Sequence, residues 1–391
     1  MKFTGELDVG RMHRERRARL VDAMRSQGVD TLLLVGQQNV LYATGLKVPA
    51  AEQGRALHRR PVALVTADAA EPCVWTWVPE GVPDDLAVSR VNRGIDLEQD
   101  SGARALLAEI PGGAVAVDEL TVPLYQAARA GGRELVDASG VLGAAKICKT
   151  ADELECLQRA QAINEAAMVD VRAMLEPGIR ATDLTARFLE RIFELGITSN
   201  TVDPIWQVMA PSIAAGPFSV TGDVVFPTAT TPRPLEHGDV VFVDTGIGYE
   251  GYQSDFGHTW VVGEPPDARR REQAARWRAV VAAVVDRIKP GTTARDQTRT
   301  PEDVERGRRR PWLTHLYLAH GTGTDSAEMP FVGTDLGDAF DEGLVLAPGM
   351  VLVLEPVIWD DGHGGFRAEE IVVVTDSGAD VLTKLDWSDY E

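Results

Sequence analysis

The sequence predicts a two-domain α/β (α+β) chain: a small N-terminal α/β domain over residues 1–148, then a domain with internal pseudo-two-fold symmetry over residues 149–391. Three observations carry that prediction. At 391 residues the chain exceeds what one ordinary hydrophobic core organises. Its first part alternates helix and strand signals. Its later part shows the same pair of landmarks twice, in the same order.

In the first domain, residues 14–27 have the spacing of a helix that Gly28 ends. Residues 31–35, 61–66 and 114–118 are short apolar runs rich in Val, Leu and Ala, and read as buried strands. Nothing in this domain forms a catalytic motif. The next helix starts at a capping box, Thr150 with Glu153, and stops before Pro177-Gly178. A further helix over 183–195 follows Thr182 and ends at Gly196.

The repeat comes next. The segment Pro177-Gly-Ile-Arg-Ala-Thr-Asp183 matches Pro290-Gly-Thr-Thr-Ala-Arg-Asp296, and Leu235-Glu-His-Gly238 matches Leu346-Ala-Pro-Gly349. An apolar strand follows each glycine, and a carboxylate stands six residues after it: Asp244 in one case and Glu355 in the other. Two such units imply two helix–helix–hairpin halves packed about a pseudo-two-fold axis.

Composition narrows the function. The formal net charge of -20 repels nucleic acid and anionic membrane surfaces. No apolar run reaches membrane-spanning length, and the charged N-terminus lacks the apolar segment of a signal peptide. The three cysteines, Cys73, Cys148 and Cys156, form no Cys-x-x-Cys pair and read as reduced thiols. A cytoplasmic protein is expected, with no nucleic-acid or membrane partner.

The carboxylates carry the chemistry. In Val240–Asp244, alternation puts Val241 and Val243 on one face and Val240, Phe242 and Asp244 on the other. The chain turns and returns through Asp255, so a hairpin sets Asp244 beside Asp255. A second hairpin sets Glu355 beside Glu369. Four converging carboxylates repel one another unless cations hold them, and two divalent ions would cancel four charges. Oxygen-rich ligation with one imidazole, best supplied by His320, suits Mn, Fe, Co or Zn. Any one of these residues alone reads more readily as a turn cap or a solvated group; the joint pattern favours two bound metal ions.

These residues resemble a family. Val243-Asp-Thr-Gly246 with Asp255 eleven positions on, His320-Gly-Thr-Gly323, Leu354-Glu-Pro356 and Arg367-Ala-Glu-Glu370 are similar to the pita-bread metallopeptidases, which include methionine aminopeptidase, aminopeptidase P and prolidase. Upstream, Arg16-Arg-Ala-Arg-Leu20 and Asn39-Val-Leu-Tyr-Ala-Thr-Gly45 resemble the creatinase/prolidase N-terminal domain. The resemblance implies a pita-bread second domain and a homodimer. It implies that Asp244 chelates one metal, that Asp255 and Glu369 bridge two, and that His320 and Glu355 bind the second. A hydroxide between the metals would be the nucleophile, and the substrate a small amide or short peptide, as in an Xaa-Pro dipeptidase or aminopeptidase P.

The chain also departs from that pattern. Peptidases of this group carry two further histidines; the matching positions here are Phe226-Pro227 and Ala327. Glu328 and Asp325 are the expected replacements for acid/base work, and His315, His258 and His363 the expected substrate contacts. Tyr249, Trp206 and Trp260 read as core more readily than as pocket lining. The same departure admits a non-peptidase of the fold, either a C–N hydrolase resembling creatinase or a metal-dependent lyase resembling dimethylsulfoniopropionate lyase. A binding protein on an inactive peptidase fold is disfavoured, because such a scaffold has no need of five intact ligands.

Overall fold

The computed structural model describes residues 6–48, 60–69, 71–197, 204–212, 230–304 and 317–391. The chain divides into two compact units between Asp152 and Glu153, against an expected break after residue 148.

The first unit is a mixed sheet between helices. Its strands are β1 (Thr31–Leu34), β2 (Val62–Thr66), β3 (Cys73–Thr76), β4 (Val91–Arg93), β5 (Val115–Val117) and β6 (Leu135–Asp137), in the order β4-β3-β2-β1-β5-β6. Strand alternation sends Leu32 and Leu34 to one side, against Leu20 and Met24 of α1 (Val9–Ser26). Leu33 and Val35 face the other side, against Leu106 of α3 (Asp100–Glu109) and Leu124 of α4 (Val122–Ala130). Between these lie α2 (Gln37–Thr44) and, after β6, α5 (Ser139–Lys146). Helix α1 begins earlier than its apolar spacing predicts, because the Asp8 side chain accepts from Arg11 N–H at 2.8 Å and caps it.

The second unit is built twice. Helices α6 (Ala151–Ala173) and α7 (Ala181–Glu194) precede the three-stranded sheet β11-β8-β7, from β7 (Ile205–Val208), β8 (Val240–Thr245) and β11 (Phe256–Val261). The short strands β9 (Gly248–Tyr249) and β10 (Tyr252–Gln253) form the tip of that hairpin. Helices α8 (Ala268–Arg287) and α9 (Ala294–Val304) precede a five-stranded sheet in the order β13-β12-β14-β17-β18. Its strands are β12 (Ala319–Gly321), β13 (Glu328–Val332), β14 (Val351–Leu354), β17 (Glu370–Val374) and β18 (Ala379–Val381). Helix α10 (Asp338–Gly343) and the hairpin of β15 (Ile358–Asp360) and β16 (Gly364–Phe366) complete it.

The repeat seen in the sequence reappears as matched hydrogen bonds. Gly178 N–H donates to Leu235 O at 2.7 Å and Leu235 N–H to Ile179 O at 2.8 Å; Gly291 N–H donates to Leu346 O at 2.9 Å and Leu346 N–H to Thr292 O at 2.8 Å. Gly238 N–H donates to Val262 O at 2.9 Å, as Gly349 N–H donates to Val374 O at 2.8 Å. Asp183 accepts from Arg180 N–H at 3.1 Å and Asp296 from Thr293 N–H at 2.9 Å. These aspartates cap the second helix of each half, so α7 starts at Ala181 rather than at 183.

Candidate metal centre

Each half delivers its carboxylates from one hairpin. Strand β8 buries Val241 and Val243 in a core with Leu184 and Phe188 of α7, and turns Phe242 to the other face against Met209 and Trp359. Asp244 shares that second face. In the register of β8 with β11, Asp244 lies opposite Gly257, and Asp255 stands just before β11. In the other half, Leu354 pairs with Glu370, so Glu355 and Glu369 lie opposite each other just beyond the ladder. The two hairpins meet directly: Glu369 N–H donates to Gly257 O at 3.0 Å, and Thr259 Oγ1 bonds both Arg367 N–H at 3.0 Å and Arg367 O at 2.8 Å.

The result is a tight acidic cluster. Asp244, Asp255 and Glu369 each offer an oxygen, and these atoms all lie within 4.8 Å of one another. His320 Nδ1–H donates to Gly321 O at 2.8 Å, which leaves Nε2 aimed at Glu355 (2.9 Å) and Asp255 (3.3 Å). Glu355 and Glu369 are fully buried. Burial, and then the charges of Asp255 and Asp244, push the Glu369 carboxyl well above the usual carboxylate range. Its Oε2 is buried with no hydrogen-bond partner. A divalent cation would give that oxygen a partner and relieve the repulsion, and four carboxylates with one imidazole are a donor set that first-row divalent ions accept. The residues fit such a group.

Arg367 belongs to the cluster and was not foreseen as part of it. Its Nη2 donates to Glu369 Oε1 at 2.6 Å and to Glu355, and lies 3.7 Å from Asp244 Oδ2. Its guanidinium sits 4.4 Å above the Phe242 ring. The signal was its spacing, two residues before Glu369 on an extended segment, which puts both side chains on one face. Tyr317 is a second such residue. Its ring meets His320 edge-on with centroids 5.1 Å apart, and burial pushes its phenol up to about 12.

The remaining expected residues are distributed as follows. Glu328 is buried on β13 opposite Gly321, and its carboxylate lies against Gly323, where an added Cβ would come within 2.2 Å of Oε1. Asp325 N–H donates to Glu328 Oε2 at 3.4 Å. Ala327 is exposed in the turn before β13. His258 is not brought to the cluster. Alternation turns Gly257 toward Glu369 and His258 to the opposite face, where its ring lies 5.2 Å from Trp387 and 5.9 Å from Phe366. His363 is not brought there either; it is exposed in the turn between β15 and β16, with its carbonyl accepting from Arg270. His315 and Phe226-Pro227 lie outside the described residues. Trp206 and Trp260 are core, with Trp206 Nε1 donating to Thr185 Oγ1 at 2.8 Å.

Two family models match the chain. Residues 155–376 match metallopeptidase family M24, and residues 16–145 match the creatinase/prolidase N-terminal domain. The Xaa-Pro dipeptidase of Pyrococcus furiosus is 30% identical over 260 residues, which cover 65% of this chain and 68% of that protein. A probable dipeptidase PepE of Mycobacterium tuberculosis is 31% identical over 250 residues, 62% of this chain and 60% of that one. Among solved structures, the prolidase of Pyrococcus horikoshii has a TM-score of 0.73 at 21% identity, covering 95% of this chain and 99% of its own. Dipeptidase PepE of Mycobacterium ulcerans has a TM-score of 0.74 at 24% identity, with 97% and 98% covered. The fold is thus that of the prolidases, an N-terminal domain followed by a pita-bread domain.

Proposed function

Because the chain belongs to metallopeptidase family M24, a family of metal-dependent hydrolases, we propose that it hydrolyses a small amide or peptide-like substrate at a centre of two divalent ions. The observation that carries this reading is the convergence of Asp244, Asp255 and Glu369, with His320 Nε2 aimed into the same group. In this reading Asp244, Asp255, His320, Glu355 and Glu369 would together hold the two ions. Mn, Fe, Co and Zn all accept that donor set. When bound, the ions supply an acidified water and polarise the scissile carbonyl.

The chain's own residues do the rest. Glu355 and Glu369, buried and held by Arg367, keep their oxygens fixed on the centre. Glu328 and Asp325 sit together after the His320 loop and serve as the acid and base that move the proton to the leaving group. The substrate is a short peptide or small molecule. The working unit is a cytoplasmic homodimer, with residues 1–148 as the creatinase/prolidase-like domain and residues 149–391 carrying the centre. The net charge of -20 supports the exclusion of nucleic acid and membrane partners, and among the described residues no helix is long and apolar enough to cross a membrane.

A second reading keeps the metals and changes the reaction to C–N hydrolysis of a non-peptide or to elimination. Ala327 favours it, since this exposed position carries no group that handles a proton. One experiment tests both: metal analysis of protein reconstituted with Mn²⁺, followed by a substrate panel with product identification. Full activity in metal-free protein would overturn both readings.

A further inference from the structure

Behind each hairpin, one buried side chain on the first helix of that half reaches the backbone beside a carboxylate of the centre. Asn164 of α6 is fully buried, and its Nδ2 donates to Thr245 O at 2.8 Å, immediately after Asp244. Trp277 of α8 is equally buried, and its Nε1 donates to Pro356 O at 2.7 Å, immediately after Glu355. The two are counterparts in the repeat. Residue 277 lies 113 positions after residue 164, the same offset that separates Pro290 from Pro177. One half uses an amide and the other an indole, but both donate to the same carbonyl of the repeat.

Asn164 does more on its side. Its Nδ2 also donates to Ser254 Oγ at 3.0 Å, and its Oδ1 accepts from Thr245 Oγ1 at 2.8 Å. Ser254 immediately precedes Asp255, and its Oγ accepts from Ile247 N–H at 3.1 Å. Asn164 therefore clamps both ends of the turn between Asp244 and Asp255. One helical turn earlier, Gln161 Oε1 accepts from Asp255 N–H at 3.2 Å.

We propose that Asn164 and Trp277 are paired positioning residues, one for each half of the metal centre, which set the backbone from which Asp244, Asp255 and Glu355 reach the ions. The inference rests on the metallohydrolase reading and assigns these two residues a role in it. Each works through a neutral hydrogen bond to a carbonyl, and an extended strand end with no such bond would let its carboxylate drift. Partners bonded directly to a ligand commonly change metal affinity by about 10–100-fold when removed, and donors one residue away act at the lower end of that range.

The test uses the full-length protein. Asn164→Asp keeps the acceptor for Thr245 and removes the donor; Trp277→Phe keeps an aromatic ring and removes the donor. Trp206→Phe is the control, because it removes an indole donor of the same kind whose partner is Thr185 on α7. Titration calorimetry with Mn²⁺ and the visible absorption of the Co²⁺-loaded protein are read together with the melting temperature. Both test variants should bind Mn²⁺ about tenfold or more weakly and shift the Co²⁺ bands, while the control loses stability and keeps both signals. Wild-type affinity and an unchanged Co²⁺ spectrum in folded Asn164→Asp or Trp277→Phe would overturn the proposal. Ser254→Ala, which removes only a hydroxyl, replaces Asn164→Asp if that variant does not fold, and the same outcomes apply. A wild-type protein that binds no Mn²⁺ fails the metal reading itself, and that result appears before any variant is made.

Discussion

Gly257 leaves the space that Glu369 fills. A Cβ on Gly257 would lie 2.4 Å from Glu369 Cδ, and the two backbones are joined by the bond from Glu369 N–H to Gly257 O at 3.0 Å. One half of the repeat thus gives up a side chain so that the other half can place a carboxylate beside Asp244 and Asp255.

Gly257→Ala should therefore displace Glu369. The position has an ordinary strand backbone, so the cost is steric, about 1–3 kcal/mol of stability by analogy with overpacked cores. Chemical denaturation and a Mn²⁺ titration check it. A variant as stable as the wild type, with the same affinity, would mean that Glu369 moves aside freely.

Asp255→Asn and Glu369→Gln should each lower metal content far more than Glu328→Gln does. The first two remove charge from the acidic cluster, whereas the Glu328 carboxylate lies against Gly323 and is not one of the three clustered carboxylates. Elemental analysis after dialysis reads the difference. Equal metal loss in Glu328→Gln would put that residue among the ligands.

Chelation should abolish activity and lower the melting temperature. An ion that binds only the folded chain adds about 2.7 kcal/mol at a hundredfold excess over its Kd. Thermal scans with and without a chelator, at fixed ionic strength, measure it. A melting temperature indifferent to chelator and to added Mn²⁺ would contradict a built metal centre.

Ordinary Xaa-Pro dipeptides should be poor substrates. Losing one donor to the developing oxyanion costs a factor of about 10²–10³ in turnover, and Ala327 supplies none. Steady-state kinetics on Xaa-Pro and Xaa-Pro-Xaa peptides, with Mn²⁺ and with Zn²⁺, give the answer. A kcat/KM above about 10⁴ M⁻¹s⁻¹ would restore the plain peptidase reading.

His13 should sensitise the first unit to mild acid. Burial, and then Arg16, hold its imidazole below the usual value, against the opposing pull of Asp85 at 2.8 Å. The unfolded chain then binds the proton more readily, so this contribution is present above about pH 6.5 and is lost as pH falls below it. Parallel unfolding curves of wild type and His13→Gln between pH 8 and 5 should converge toward the acid end. A constant difference across that range would show that the folded ring titrates normally.

Some of this was legible in the sequence because it is local. The strand period of two puts Val241 and Val243 on one face and Phe242 and Asp244 on the other, and that is how they pack. The repeated Pro-Gly and Leu-x-x-Gly landmarks are local too, and the structure turns both pairs into the same hydrogen bonds. Other features needed the third dimension. Periodicity says that His258 and Gly257 face opposite ways, but not which face holds the acidic cluster; the register with Asp244 and the arrival of Glu369 decide that. Arg367 reads as one more charge on a strand until the hairpins meet and bring it to Glu355 and Glu369. Asn164 lies 81 residues from Thr245, and only the packing of α6 behind β8 makes it a clamp. Sequence fixes which groups each strand or helix carries and on which side, because backbone geometry is local. Their partners depend on the register and packing of segments far apart in the chain, and only the assembled fold sets those.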